Sequence, residues 1–158
     1  MILEVEIPLK FPGTTALSYI RRREVLKKLP FVKYYMDEHH PDWYQKTIRL
    51  TTPLEIEFSK EATDFLLKYI TIYVSPAFSS YQKVDTSYKQ ATTKTLDQLK
   101  EIIQCAEFFG CCSFMDCIGF VIAHKLNRLT VDEVNTFLDP QEGERYREWR
   151  SAFTRRRT

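Results

Sequence analysis

The chain has 158 residues, of which 44% are hydrophobic and 28% are charged, and its net charge at pH 7 is +2. This length and balance predict one domain, or one domain with a helical extension, that buries a hydrophobic core. A net charge this small does not by itself indicate nucleic acid or an anionic membrane as a partner.

The cellular compartment is indicated by the cysteines and by two absent signals. The four cysteines lie close together in a segment that is predicted to be helical: Cys105, Cys111, Cys112 and Cys117. Adjacent cysteines in helices suit a reducing compartment better than a disulfide scaffold. No apolar run approaches the roughly 20 residues of a membrane helix, and the N-terminus lacks the features of a signal peptide. We expect a cytoplasmic and/or nuclear protein that does not contact a membrane.

The N-terminal third predicts a strand hairpin followed by helices. In residues 3–11, apolar and polar side chains alternate as in a half-buried strand. Pro8 cannot donate to a ladder, so we expect this strand at an edge or with a bulge. Pro12-Gly13 predicts a turn into a return strand over 14–20. The residues after this strand have apolar side chains at helical spacing, and a new helix is predicted to begin at Pro30.

The middle of the chain predicts short strands, a helix and a loop. Alternating apolar residues over 46–58 lead to Ser59, a good N-cap for the next helix. The stretch from Ser75 to Lys94 is rich in Ser, Thr and Lys with little periodicity, and it is predicted to be a long loop.

Three consecutive helices are predicted between Thr95 and Leu138. Gly110 ends the first, Ser113 with Asp116 resembles a capping box for the second, and Thr130 with Glu133 forms one for the third. A last helix is predicted over 142–153, followed by the basic tail TRRRT. A small sheet with helices against it is an α+β arrangement.

Three passages resemble the Skp (S-phase-kinase-associated protein) adaptors of Skp–cullin–F-box ubiquitin ligases, in the BTB/POZ superfamily. They are FSKEATDFLLKYITIY, TLDQLKEIIQCAEFFGCCSFMDCIGFVIAHKL and TVDEVNTFL, and a late tryptophan, Trp149, also fits. Elongin C is a shorter relative that stops before the last two helices, so their presence favours a Skp-like protein. The resemblance implies a BTB/POZ-like domain over 1–126 and a partner-binding helical extension over 127–158.

The resemblance also implies two partner surfaces. The residues implied to line or support a cradle for an F-box-type protein are Phe114, Met115, Cys117, Val121, Val134, Leu138 and Trp149. Glu107 and Phe108 are implied to lie at the cullin side, where the family has an Asn-Tyr pair. The connector after Gly110 and the long loop also depart from the family's pattern. The apolar C-terminal helices could equally pack back on the domain or bind a partner.

The chemistry-bearing residues do not form a recognisable catalytic or metal site. The spacing C-x5-C-C-x4-C does not supply the paired knuckles of structural zinc. His124 lies about two helical turns, roughly 10 Å, from Cys117, which is too far for a nucleophile and its base. The arginine triplets at 21–23 and 155–157 are interpreted as solvated charge at element ends. We therefore expect no catalysis, no cofactor, no metal and no nucleic acid.

Two functions remain open. The first is a non-catalytic Skp-like adaptor that bridges F-box-type helices to a cullin scaffold. The second is a BTB-fold interaction module that has left the ubiquitin pathway and forms a homodimer or scaffolds another complex. The altered Glu107-Phe108 pair and the altered connector favour the second.

Overall fold

The structure, a computed structural model, describes residues 3–76 and 83–137. The strands among these residues are β1 (Val5–Lys10), β2 (Leu17–Ile20), β3 (Ile48–Arg49) and β4 (Leu54–Glu55). The helices are α1 (Arg23–Lys27), α2 (Pro30–His39), α3 (Lys60–Tyr69), α4 (Val84–Ser87), α5 (Lys89–Thr92), α6 (Leu96–Phe109), α7 (Cys112–Leu126) and α8 (Val131–Phe137). The expected combination of a small sheet with helices is confirmed. In the described part of the chain, no helix is long and apolar enough to cross a membrane.

The described residues form two compact units. The first contains residues 3–72 and 104–112, and so holds the whole sheet, α1 to α3 and the end of α6. The second contains 73–76, 83–103 and 113–137, with α4, α5, the start of α6, nearly all of α7, and α8. The boundary at residues 126 and 127 stays a prediction, and the helix expected over 142–153 lies outside the described residues.

β1 is the central strand of the sheet. It pairs antiparallel with β2 on one side and parallel with β3 and β4 on the other. Val5, Ile7 and Leu9 are buried, which confirms the alternation expected from the sequence. The edge position expected from Pro8 is wrong.

Pro8 is tolerated in the central strand because of where its nitrogen points. The carbonyls of Glu6 and Lys10 accept from the Leu50 and Ile56 N–H groups, both at 2.9 Å. Since the N–H and C=O of one strand residue lie on the same side, Pro8 also directs its nitrogen toward β3 and β4. The next bond of the β1–β3 ladder would run from the N–H of residue 8 to the Leu50 carbonyl, so the missing N–H of Pro8 falls where β3 has ended and β4 has not yet begun.

The expected helix ends are largely confirmed. The Ser59 hydroxyl accepts from the Ala62 N–H at 3.2 Å, as an N-cap does. Half of the capping box expected at Thr130 forms: its hydroxyl accepts from the Glu133 N–H, as an N-cap does, but the Glu133 carboxylate accepts from that hydroxyl in place of the Thr130 backbone N–H. The capping box expected at Ser113 is wrong, because α7 already begins at Cys112 and Ser113 lies in its first turn.

The long loop expected from Ser75 to Lys94 is also wrong over its second half, where α4 and α5 form. Tyr88 between them is fully buried, and its hydroxyl donates to the Val74 carbonyl. The Tyr73 hydroxyl donates to the Gln90 side chain and accepts from the Ala91 N–H, both at 3.1 Å. Each helix has only four residues, which is too short for periodicity to show in the sequence.

Arg23 links the start of β1 to the segment before β3. Its guanidinium donates to the carbonyls of Leu3 at 3.1 Å, Trp43 at 2.6 Å and Lys46 at 2.9 Å. The Trp43 indole N–H in turn donates to Asp37 at 2.9 Å. The interpretation of this arginine as solvated charge is therefore wrong, since a planar guanidinium satisfies three carbonyls at once.

We expect Arg23→Lys to lower the free energy of unfolding by about 2 kcal/mol, because one ammonium cannot reproduce the three bonds. Urea unfolding followed by circular dichroism measures this. Arg22→Lys is the matched control: Arg22 forms an exposed ion pair with Glu24, so its change should stay within about 0.5 kcal/mol. Equal effects of the two substitutions would contradict the structural role of Arg23.

Candidate functional site

Helix α6 is terminated by a C-cap that depends on Gly110. Gly110 has a φ of +79°, its N–H donates to the Glu107 carbonyl at 3.0 Å, and the Cys111 N–H donates to the Ala106 carbonyl at 2.9 Å. These two bonds are those of a Schellman motif. A Cβ at position 110 would lie 3.2 Å from the Pro30 Cβ, so glycine is required both by conformation and by space. The motif holds the last turn of α6 in a defined position.

That last turn carries both residues implied to lie at a cullin side. Glu107 is exposed and Phe108 is partly exposed. The Phe108 ring lies 4.7 Å from Phe31, 5.8 Å from Phe58 and 5.1 Å from Phe109, between ring centroids. We call Phe31, Phe58, Phe108 and Phe109 the phenylalanine cluster. Phe109 is fully buried, whereas 44% of Phe31 is exposed, so the cluster runs from the core of the first unit to its surface.

Phe31 and Phe58 were not expected to belong to a site. A signal for Phe31 exists in the sequence: it follows Pro30 at the start of α2 and is one residue out of step with Val32 and Met36, which form the buried face. An aromatic residue beside an apolar face, and not on it, is placed near the surface. Phe58 was expected to continue the strand alternation of residues 46–58, but β4 ends at Glu55, and that alternation carries no signal that would place Phe58 beside Phe108.

The residues implied for an F-box-type partner lie mostly in the interior of the second unit. Phe114, Cys117, Val121 and Val134 are buried, and the Phe114 ring stacks on Tyr73 with centroids 5.9 Å apart. Met115 is partly exposed. Leu138 and Trp149 lie outside the described residues. The buried residues can therefore support a surface but do not themselves form one in this structure.

The apolar surface that α8 offers is different from the one expected. Val131, in its first turn, is 75% exposed. Phe137 at its other end is partly exposed, and the Lys100 ammonium lies 5.8 Å from the centre of its ring. Val131 and Phe137 are thus the described apolar residues of α8 that can reach a second chain.

The cysteines behave as small hydrophobic residues. All four carry thiols and form no disulfide, and only Cys112 is exposed. Burial raises the pKa of both Cys111 and Cys117 to about 12, so both are neutral at physiological pH. The Cys111 thiol donates to the Lys28 carbonyl at 3.4 Å. Among the described residues, no three His, Cys, Asp or Glu side chains converge on a possible metal position.

The first arginine triplet is engaged within the protein. The Arg21 and Arg22 side chains form ion pairs with Glu6 and Glu24 at 3.6 and 3.2 Å, and Arg23 makes the backbone bonds described above. These arginines do not form an unopposed basic stripe of the kind that binds phosphates. The second triplet, at 155–157, lies outside the described residues.

Comparisons with protein-family models, curated proteins and solved structures found no match to this chain. Membership of the Skp family therefore stays a prediction from the sequence.

Thiol reactivity tests the interpretation of the cysteines. At pH 8 we expect iodoacetamide to alkylate Cys112 first and to leave Cys111 and Cys117 unmodified, since a raised pKa removes the reactive thiolate. Peptide mass spectrometry of briefly treated native protein locates the label, and Cys112→Ser should abolish the fast reaction. Labelling of Cys111 or Cys117 at the rate of Cys112 in folded protein would show that their burial is incorrect.

Proposed function

We propose that this protein is a non-catalytic Skp-like adaptor that joins an F-box-type protein to a cullin-type scaffold. The residue types at 107 and 108 favour the alternative function, but their position carries the proposal, because at the end of α6 exposed Glu107 stands beside a partly exposed phenylalanine cluster. The order of elements also supports it: a hairpin, a short strand leading to the Ser59-capped helix α3, and later α6, α7 and α8, with α6 ending at Gly110 and α8 capped by Thr130.

The phenylalanine cluster has the physical properties of a docking surface. Phe31 and Phe108 offer apolar area to solvent, while their contacts with Phe109 hold them in place. A rigid aromatic residue loses little conformational entropy when a partner covers it, which is why such residues dominate interface energies. Glu107 adds a negative charge at the rim, where it favours a partner with a basic side chain.

The second partner surface of the proposal lies on α8. Exposed Val131 and partly exposed Phe137 offer apolar contacts to a helix of an F-box-type protein. Buried Phe114, Cys117, Val121 and Val134 support this surface from within the same unit. Leu138 and Trp149, which the resemblance adds to the surface, keep their proposed roles from the sequence alone.

A specific observation favours the alternative, a self-associating interaction module. Tyr34 is 70% exposed on α2, on the same side of that helix as Phe31, which is three residues earlier. Exposed aromatic residues that share one helix face mark interaction surfaces more often than chance exposure does. Size-exclusion chromatography with light scattering separates the two functions: a monomer that forms a heterodimer with a cullin N-terminal domain supports the adaptor, and a homodimer that does not bind cullin supports the module.

If the end of α6 binds a cullin, Glu107→Lys should weaken binding of a cullin N-terminal domain at least tenfold, which is about 1.4 kcal/mol of binding free energy. The reason is that the substitution reverses the charge at the rim of the surface. Isothermal titration calorimetry measures the dissociation constant. Glu38→Lys, the same change at an exposed position of α2, should leave binding within twofold. Unchanged affinity for Glu107→Lys would remove this surface from the proposal.

If α8 binds an F-box-type protein, Val131→Asp should reduce capture of that protein at least tenfold, because the substitution places a charge in an apolar contact. Val74→Asp is the matched control, since Val74 is also an exposed valine of the second unit. Both variants should keep the wild-type circular dichroism spectrum. Equal recovery with both variants in a quantitative pull-down would exclude Val131 from the contact.

A further inference from the structure

A groove opens in the first unit where β1 and β4 separate. It has a volume of about 480 Å³ and is lined by Lys10, Phe11, Pro12, Glu55, Ile56 and Glu57. Phe11 and Ile56 are buried and turn their side chains to the core, whereas both glutamates are exposed. The groove lies on elements that the adaptor proposal does not use, so it raises a separate question of function.

The groove exists because Pro12 ends the ladder between β1 and β4. Lys10 pairs with Glu55, and its carbonyl accepts from the Ile56 N–H at 2.9 Å. In a parallel ladder the next bond would run from the N–H of residue 12 to the Ile56 carbonyl. Proline has no N–H, so that bond cannot form, and strand geometry directs the Ile56 carbonyl, like the Ile56 N–H that bonds to Lys10, toward the opening between the strands. No backbone donor among the described residues bonds to it.

The groove offers mainly hydrogen-bond acceptors. The carboxylates of Glu55 and Glu57 and the Ile56 carbonyl all accept, and neither glutamate takes part in an ion pair within 3–76 or 83–137. Lys10 is the only cationic side chain in the lining, so the two carboxylates leave a net negative charge. A ligand that complements these groups carries a cationic donor, as a guanidinium does.

The outer edge of β4 is the second feature of the site. Because Lys10 bonds to the residues on either side of Glu55, the N–H and C=O of Glu55 point away from β1. No other strand of the described residues pairs with β4 on that side. An unpaired strand edge accepts an extended segment by backbone hydrogen bonds, while alternate side chains of the segment reach one face.

We propose that this groove and the adjacent edge of β4 bind an extended, arginine-bearing segment of a partner protein. The segment pairs its backbone with Glu55, and its guanidinium groups reach the carboxylates of Glu55 and Glu57. One guanidinium enters the groove and donates to the Ile56 carbonyl. Charge, hydrogen-bond direction and strand geometry all select the same occupant, since an acidic segment fails the charge and a helical segment fails the strand geometry.

Fluorescence polarisation in 150 mM salt tests the proposal with three labelled octapeptides of alternating sequence: Arg–Val, Glu–Val and Arg–Pro. We expect the Arg–Val peptide to bind the full-length protein saturably. The Glu–Val peptide should not bind, because it is repelled. The Arg–Pro peptide should bind at least fivefold more weakly, because it keeps the charge while its prolines hold it in polyproline II, where side chains no longer alternate between two faces as they do in a strand. Equal binding of the Arg–Val and Arg–Pro peptides, or no binding of either, would overturn the proposal.

A pair of double variants locates the site. Glu55→Gln with Glu57→Gln should weaken Arg–Val binding at least tenfold, whereas Glu24→Gln with Glu38→Gln, which removes the same charge from α1 and α2, should stay within twofold. Glutamine keeps the size of each side chain, so both variants should retain the wild-type circular dichroism spectrum. Equal losses in the two double variants would show that net charge alone attracts the peptide, and that result overturns the site.

Discussion

The first unit depends on the backbone pairing of β1, which hydrogen-bonds on both of its edges. Its odd-numbered residues place Val5, Ile7 and Leu9 in the core, and its even-numbered residues direct their peptide groups toward β3 and β4. Pro8 is one of those even positions, and Pro12 follows two residues after the end of β1. A proline on the β2 side would remove a bond from the antiparallel ladder between β1 and β2, whereas these two coincide with the places where the parallel partner leaves or separates.

Features that depend on neighbouring residues could be predicted from the sequence. The cap at Ser59, the helix end at Gly110 and the N-cap at Thr130 each follow from residues within four positions of one another. The alternation of β1 was equally readable. The position of Pro8 was not, because it depends on where a strand some forty residues later interrupts its pairing, and no local pattern carries that information.

The side chains that join distant segments were the least predictable. Arg23 stands in a run of three arginines that look alike in the sequence, but only Arg23 reaches three carbonyls from distant parts of the chain. Tyr88 lies in a polar stretch of the sequence and is nevertheless fully buried. The same limit applies to the candidate site: the spacing of Phe114, Cys117 and Val121 fits both a core and a docking face, and only the three-dimensional arrangement shows that they are buried.

Strand edges are usually protected against unwanted pairing by charge, by proline or by a short length. β4 has only two residues, and Glu55 places a charge on it, so it meets two of these conditions. A short edge with an acidic side chain repels an acidic strand, offers a neutral strand little and attracts a basic one, so the same features that prevent general aggregation also select a partner. Pro12 completes the arrangement, because it leaves the Ile56 carbonyl beside that edge without its ladder donor. Protection and recognition at this edge therefore have one physical origin.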